Sequence, residues 1–417
     1  MKRLVRVGIA TSYVLFLTFI ICVSIAHFVH YIGQDSLGAI DFVNHYMAGR
    51  MTISSDAHQI YDPATQLRWF RTLVPTWHQD KPFYCQFMPF FFPMMVPLAL
   101  VPLKTAFVAW LIFSLSFGLG GLFFFLRSHS ALSKTQICWV LIATSLSFPA
   151  IICLSIGQTG FLLVGLFSLF FLFLQRKKYI PAALALALTS YKPHYTLFFA
   201  MPGLAQRRWK LIAWLVIFEL LLVALAGLTV GWHNVFSYPA ILKHAETTSD
   251  YIGVHGYNMV SVRGILSRLT VESVAVPLSF MAMLAGAAGT YLIWLREAPV
   301  SSPKQRWAIA LTVLLCLSTS PHTHLHDLVM LTMLTVTLPT IDITELILLR
   351  PLTRLLWYLL IYLYPAISWG SAVLWVQSQA ASIVSFIVIN LVLLACGVQL
   401  FIAVGEQAER ETQSEKS

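Results

Sequence analysis

Among the ionisable residues that interrupt the apolar sequence, those at three places stand out. Asp41 opens a polar stretch near the N-terminus, and Lys192 stands in an apolar segment. His326 belongs to the sequence PHTHLHD at 321–327. Charged groups within membrane-type segments are costly and mark functional sites by default. These three places are therefore the first candidates for chemistry.

Asp41 allows two interpretations. It precedes a stretch of helical character that contains His45 and Arg50, and aspartate is a favourable residue at the N-cap of a helix. A carboxylate at this position could instead act as a general base that activates a hydroxyl group. The residues alone favour neither interpretation. Asp62, which precedes a proline, is expected to cap a second helix at 63–73.

Lys192 is followed by Pro193 and His194, within a segment that has basic turns on both sides. Both turns favour the cytoplasm, so residues 179–206 should form a hairpin with arms too short for full membrane spans. A lysine at the tip of such a broken hairpin suits a phosphate group. Alternatively, the lysine extends to the membrane interface and keeps its charge in water.

The histidines of PHTHLHD alternate along the chain and allow three interpretations. Imidazoles suit zinc, copper or nickel, but alternate residues converge on one ion only in an extended segment. The histidines could equally line a phosphate or sugar site, or the segment could be an ordinary turn at the membrane interface. The residues concerned are His322, His324, His326 and the adjacent Asp327.

Two further motifs carry polar residues that could contact a ligand. The sequence GQTG at 157–160 lacks the lysine and the preceding strand of a phosphate-binding loop, so Gln158 either bonds a sugar hydroxyl or belongs to a tight turn. Asn258 and Arg263 flank the start of a predicted helix. Arg263 could meet a phosphate or could be a surface charge.

Composition places these motifs in a membrane protein. Of the 417 residues, 58% are hydrophobic and 11% are charged, whereas soluble proteins contain about 25% charged residues. The net charge of +10 comes from short basic loops of the positive-inside type, so nucleic acid is not an expected partner. The six cysteines show neither a disulfide framework nor metal-ligand spacing. We expect an all-α, polytopic bundle of about ten to twelve transmembrane helices.

The distribution of basic residues along the chain predicts the topology. An uncleaved first helix at 7–32 begins in the cytoplasm, and the polar motifs fall on the extracytoplasmic side. Residues 86–103 contain four prolines and either span the membrane or re-enter it. The remaining expectations are amphipathic interfacial helices at 41–51 and 63–73 in a first external loop (33–86), a second external loop (231–259), one membrane domain (1–405) and a cytoplasmic tail (406–417).

Several motifs, in order over about 300 residues, resemble glycosyltransferase family 87, a group of polytopic C-type (GT-C) enzymes. They are DFVNHYMAGRM, IYDPATQ, FYCQFMPFFFPMMVPLALVPLKTAFVAW, GQTGFLL, ALALTSYKPHYTLFFAMPGLAQRRWK and SPHTHLHDLVML. The chain departs from the family pattern at Tyr84-Cys85-Gln86, where the family has Tyr-Pro-Pro. It also has His326-Asp327 where some members carry Tyr-Asp.

The resemblance implies an inverting hexosyltransferase, typically a mannosyltransferase, that uses a polyprenyl-phosphate-sugar donor and a lipid or glycan acceptor without a metal. It implies an extracytoplasmic site in the cell membrane, with both termini cytoplasmic and Asp41 as the general base. The donor-phosphate residues would be Lys192, His194, His324, His326 and Arg263. The sugar or acceptor residues would be Gln158, Asn258, Tyr84, Asn44, His45 and Asp327. A transporter or lipid flippase, which should show an internal repeat, and a non-catalytic assembly protein are the alternatives.

Overall fold

The computed structural model describes residues 41–78, 80–81, 85–130, 132–247, 256–295, 298–299, 302–340, 383, 386–394 and 396–397. Within these residues the chain is helical and contains no strand, which confirms the prediction of an all-α fold. A 3₁₀ helix, Leu325–Thr340, follows the last of the numbered α-helices. These are α1 (Phe42–Thr52), α2 (Pro63–Leu73), α3 (Phe91–Met94), α4 (Val96–Ala99), α5 (Leu103–His129), α6 (Lys134–Ser145), α7 (Phe148–Ser155), α8 (Gly160–Gln175), α9 (Tyr179–Ala187), α10 (Pro193–Ala205), α11 (Trp209–Ala226), α12 (Trp232–Thr247), α13 (Val262–Leu269), α14 (Glu272–Trp294) and α15 (Pro303–Thr319).

Among the described residues, three helices are long and apolar enough to cross a membrane: α5, α14 and the continuous helix Trp209–His244, which joins α11 to most of α12. Together, α6 and α7 form a fourth, bent candidate. Apolar side chains on α11, among them Leu220 and Leu221, point outward, as a helix in contact with lipid requires. The chain is therefore a polytopic membrane protein.

Several topology predictions lie wholly or partly outside the described residues. They are the first helix at 7–32, the tail at 406–417, the single domain at 1–405 and the total of ten to twelve spans. All of them remain predictions.

The first polar loop folds into the bundle. A helix forms close to the predicted residues as α1, but nine of its eleven residues are buried, so the prediction of an amphipathic helix lying at the interface is wrong. Phe42 packs against Phe107 of α5 with ring centroids 5.3 Å apart. Gly49 lies so close to the carbonyl of Met95 that no Cβ would fit.

Helix α2 forms at the predicted residues. Asp62 caps it by accepting a hydrogen bond from the Thr65 backbone N–H at 2.8 Å, which confirms the predicted cap. Three of the eleven residues of α2 are buried, Thr65, Gln66 and Phe70, so this helix does have one inner and one outer face.

Two stretches of the chain, the proline-rich run 86–103 and the predicted loop 231–259, contain helices whose extent the sequence did not define. The proline-rich run 86–103 contains only the four-residue helices α3 and α4 and forms no continuous span, because each proline removes a backbone donor. The first part of the predicted second external loop, 231–259, is helical, because α12 continues α11 through one wide turn, Gly227–Gly231. Its position outside the membrane remains a prediction.

The predicted broken hairpin is confirmed. Its arms are α9, of nine residues, and α10, of thirteen, and both are shorter than the ~20 residues that a transmembrane helix needs. Phe199 of α10 stacks on Phe167 of α8 with ring centroids 3.5 Å apart. Arg208 donates to the carbonyl of Leu174 at 2.9 Å, which joins the two basic turns that flank the hairpin.

Candidate active site

A cavity of about 700 Å³ opens where α1, the turn before α8, the hairpin tip and the 321–327 turn meet. Its volume lies in the range of small-molecule sites, about 300–1,000 Å³. Apolar side chains such as Leu242, Phe280 and Met283 supply part of the wall. The polar lining residues are Asp41, Asn44, His45, Gln86, Gln158, Tyr191, Lys192, His194, Asn258, His322, His324 and His326.

Asp41 occupies the N-terminal end of α1, yet its side chain makes no capping hydrogen bond. The carboxylate oxygen Oδ2 instead accepts a hydrogen bond from Gln158 Nε2 at 2.5 Å. The N-cap interpretation of this side chain is therefore wrong. The carboxylate and the amide of Gln158 meet across 117 residues of sequence, and both belong to the cavity wall.

The turn that carries Gln158 is fixed by its neighbours. The Phe42 backbone N–H donates to Ile156 O at 3.0 Å, and Trp110 Nε1 donates to Gly157 O at 2.8 Å. Gly157 has a φ of 69°, a left-handed conformation that glycine adopts without a steric penalty. This turn therefore holds Gln158 against Asp41.

The environment of Asp41 makes its carboxylate a better base. Burial raises the pKa of Asp41 to about 6, while the Gln158 hydrogen bond and the charge of Lys192 lower it and the charge of Asp327 raises it. A base with a pKa near the working pH is ionised at pH 7 and still binds a proton readily. Asp41 is therefore suited to remove a proton from a hydroxyl group.

Lys192 forms a buried ion pair. Its Nζ lies 2.7 Å from Asp327 Oδ1, and the Asp327 side chain is fully buried. The ammonium group is held inside the protein and does not extend to the membrane interface. Asp327 Oδ2 also accepts a hydrogen bond from the His324 backbone N–H at 3.0 Å, so this one carboxylate fixes both the hairpin tip and the 321–327 turn.

The 321–327 turn brings its histidines to the cavity. The rings of His324 and His326 stack with centroids 5.4 Å apart, and the ring of His322 lies 5.6 Å from that of His194. In the described part of the chain, no group of three or more His, Cys, Asp or Glu side chains is arranged to hold a metal ion. The alternating histidines thus line the cavity without converging on one point.

The sequence profile of glycosyltransferase family 87 matches residues 87–321, which is more than half of the 417 residues. The chain belongs to glycosyltransferase family 87. No curated protein matches it. As a member of this family, it is a C-type membrane glycosyltransferase that uses a sugar donor and an acceptor.

The family match covers only part of the cavity of this glycosyltransferase. Gln158, Lys192 and His194 lie within the matched residues, whereas Asp41 and His326 lie outside them. Their place in the site therefore depends on the geometry. Nine predicted site residues line the cavity: Asp41, Asn44, His45, Gln158, Lys192, His194, Asn258, His324 and His326.

Two predicted site residues of the glycosyltransferase lie outside the cavity lining. Arg263 is buried, and its Nη2 pairs with Glu272 Oε2 at 3.1 Å, so the structure does not bring it to the cavity with the other residues, and its contact with the donor phosphate stays a prediction. Asp327 lies behind the lining, where its buried carboxylate holds Lys192, and its direct contact with a sugar stays a prediction. The predicted sugar contact of Tyr84 falls outside the described residues.

Sequence reasoning missed two polar lining residues, Gln86 and Tyr191. His322 was not missed, because the interpretation of PHTHLHD as the lining of a phosphate or sugar site includes it, and it does line the cavity. Gln86 is the first residue of the proline-rich run 86–103, and the sequence singled it out only as part of the departure from the family's Tyr-Pro-Pro. The backbone carbonyl of Gln86 accepts a hydrogen bond from Tyr238 at 3.1 Å, which ties this residue to α12.

Proposed function

We propose that this family 87 enzyme transfers a hexose, typically mannose, from a polyprenyl-phosphate donor to a lipid or glycan acceptor. The transfer takes place at the extracytoplasmic face of the cell membrane and inverts the anomeric configuration. One observation carries the proposal: the Asp41 carboxylate, held by Gln158 and with a raised pKa, shares a cavity with Lys192. A base and a cation in one cavity of a membrane protein suit a lipid-linked sugar phosphate.

The transfer needs one base and one stabilised leaving group. Asp41 removes the proton of the acceptor hydroxyl as its oxygen attacks the anomeric carbon from the face opposite the phosphate. The bond between the anomeric carbon and the phosphate oxygen breaks, and polyprenyl phosphate leaves with the electron pair. Asp41 ends protonated and returns its proton to water.

Lys192 and the histidines of the cavity would stabilise the charge that grows on the phosphate. Preorganised donors aimed at developing charge lower the barrier because they need no reorganisation during the reaction. With Lys192 supplying the cationic charge, we propose that transfer needs no divalent metal. Incubation with a chelator should leave the rate unchanged, and a rate restored only by added metal would contradict this part of the proposal.

The decisive experiment compares Asp41→Asn with the wild type. Purified protein in nanodiscs is given a polyprenyl-phosphate-hexose, and both the release of polyprenyl phosphate and the glycosylated product are measured. Loss of a general base typically lowers the rate by about 10²–10⁴-fold, and we expect a loss of this size.

The matched control is Asp62→Asn in the same loop. Asparagine caps a helix as well as aspartate, and Asp62 does not line the cavity, so this variant should keep full activity. Near-wild-type turnover by Asp41→Asn would refute the base assignment. A wild-type protein that releases no polyprenyl phosphate would refute the function itself.

A further inference from the structure

His45 is packed tightly into the first turn of α1 with its ring fully buried. Aromatic rings surround it, with centroids 5.1 Å away at Phe87, 5.3 Å at Phe91 and 5.8 Å at Trp110. Its Nδ1 atom lies 3.1 Å from the backbone oxygen of Asp41. The ring orientation is therefore fixed by packing and by one hydrogen bond.

This hydrogen bond decides which nitrogen carries the proton. A carbonyl oxygen can only accept, so Nδ1 must be the donor. Burial lowers the pKa of His45 to about 4, so the imidazole is neutral at pH 7 and Nε2 presents a lone pair without a proton. The ring is held in one tautomer with one defined acceptor atom.

That acceptor atom lacks a partner within the described part of the chain. His45 Nε2 is buried without a hydrogen bond, and the same holds for Oδ1 of the adjacent Asn44. Both residues line the cavity. Buried polar atoms are nearly always paired in folded proteins, so an unpaired acceptor in a cavity wall indicates a ligand that donates a hydrogen bond there.

We propose that His45 determines acceptor specificity by accepting a hydrogen bond at Nε2 from an acceptor hydroxyl that is not attacked. This role rests on the function proposed above. His45 follows Asp41 by four residues and therefore lies on the same face of α1. The group held there is the substrate that Asp41 deprotonates.

The side chains of Asp41, Asn44 and His45, which form one wall of the cavity, disfavour the donor phosphate. Asp41 carries a negative charge and Nε2 of His45 offers only a lone pair, so an anion is repelled from both. Lys192, which lies at the hairpin tip and not on α1, attracts it, although its charge also acts on Asp41 and His45. The side chains of Asp41, Asn44 and His45 thus favour a ligand that brings hydroxyl protons, whereas Lys192 favours the phosphate.

The proposal makes a prediction about acceptor analogues. Nε2 needs a proton from the ligand. Acceptors in which this hydroxyl is replaced by hydrogen or by fluorine should therefore lose the hydrogen bond, and activity with it, to the same extent. Leaving a buried acceptor unpaired should lower kcat/KM about tenfold to one hundredfold. The effect should appear mainly in KM for the acceptor, because the contact does not involve the reacting bond.

The test uses a polyprenyl-phosphate-hexose with octyl mannoside, its monodeoxy and monofluoro derivatives, and dodecanol as acceptor probes. The proteins are the wild type, His45→Phe, which keeps the ring packing, and His45→Gln, which keeps an acceptor atom. His129→Phe is the matched control, because His129 is also buried and also places Nδ1 3.1 Å from the backbone oxygen four residues earlier. His129 does not line the cavity.

Three results would support the proposal together. The wild type should use octyl mannoside and should reject dodecanol. Its kcat/KM should fall tenfold or more for one of the monodeoxy derivatives, and the fluoro derivative at the same position should be no better. His45→Phe should lose this discrimination and raise KM for octyl mannoside. His45→Gln and His129→Phe should keep the wild-type preference.

Failure of this role and failure of the proposed function give different results. Polyprenyl phosphate that is released in an Asp41-dependent manner, with equal use of dodecanol or with no loss in His45→Phe, would overturn the role of His45 alone. Donor hydrolysis without transfer to any probe would overturn it as well. If His45→Phe does not fold, equal rates with the deoxy and parent acceptors in the wild type would overturn it. Absence of any donor turnover would instead refute the function on which it rests.

Discussion

Asp41 makes the pH dependence of transfer predictable. Burial raises its pKa from the ordinary value of 3.8 to about 6, and the base is active only when ionised. The rate should therefore be constant above this value and should fall about tenfold for each pH unit below it. A kcat/KM profile between pH 4.5 and 8 measures this acid limb. A limb near pH 4 would mean that the base is not this carboxylate or that water surrounds it.

Gln158 should act as a positioning residue for Asp41. Its hydrogen bond lowers the pKa of the carboxylate, so Gln158→Leu should raise that pKa and move the acid limb to higher pH. The maximal rate should also fall, because the carboxylate loses its orientation. Gln59→Leu serves as the control, since Gln59 lies in the same polar loop but outside the cavity. An unchanged acid limb in Gln158→Leu would exclude this role.

At the residue scale, the sequence predicted which residues have the chemistry of a site better than it predicted where their side chains point. Asp41 and Lys192 stood out because charge is rare in apolar segments, and both reach the cavity. Arg263 looked equally suitable, but Glu272, nine residues later, pairs with it. Asp327 looked like a ligand residue, yet its carboxylate points at Lys192. Pairing in the folded chain decides these cases, over 9 residues for Arg263 and Glu272 and over 135 for Lys192 and Asp327, and sequence spacing does not encode which pair forms.

The hairpin and the 321–327 turn depend on one ion pair. Removing one partner of a buried pair leaves an uncompensated charge and costs about 3–5 kcal/mol, whereas replacing both by apolar residues is often neutral. Lys192→Met alone should therefore lower the free energy of unfolding by this amount. The double variant Lys192→Met/Asp327→Leu should recover it, as measured by denaturant titration in detergent.

Donor binding separates the structural role of this ion pair from its functional role. Both Lys192 variants should raise KM for the donor, because neither offers a cation to the phosphate. Glu272→Gln breaks an ion pair outside the cavity and should leave donor KM unchanged. Wild-type donor KM in the stable double variant would show that Lys192 serves the fold alone.

Secondary-structure elements were predictable where charged residues mark their ends. The hairpin followed from two basic turns and two short arms, and it is present as α9 and α10. Helix α1 was found at nearly the right residues but was placed at the interface. Its polar residues suggested a solvated face, whereas Asn44 and His45 in fact face the cavity. A buried polar face cannot be told from a solvated one without the ligand cavity that it borders.

For the whole molecule, helix lengths relate the cavity to the basic turns. Helix α8 begins beside the cavity at the 157–160 turn and ends at the basic residues 176–178. With sixteen residues it is about 24 Å long. Helix α10 runs from the cavity to the basic residues 207–208 in the same way. The basic turns therefore lie at the far ends of helices that start at the site.

This arrangement, together with the positive-inside rule, supports the proposed extracytoplasmic position of the cavity. Cysteine labelling in intact cells can check it, in a variant whose Cys22 and Cys138 are replaced by serine. Ser55 and Lys178 are exposed and lie in the first polar loop and in a basic turn. Ser55→Cys should react with a membrane-impermeant maleimide in intact cells, and Lys178→Cys only after permeabilisation. The reverse labelling pattern would place the cavity on the cytoplasmic side of the membrane, where its donor would be a lipid-linked sugar of the cytoplasmic leaflet.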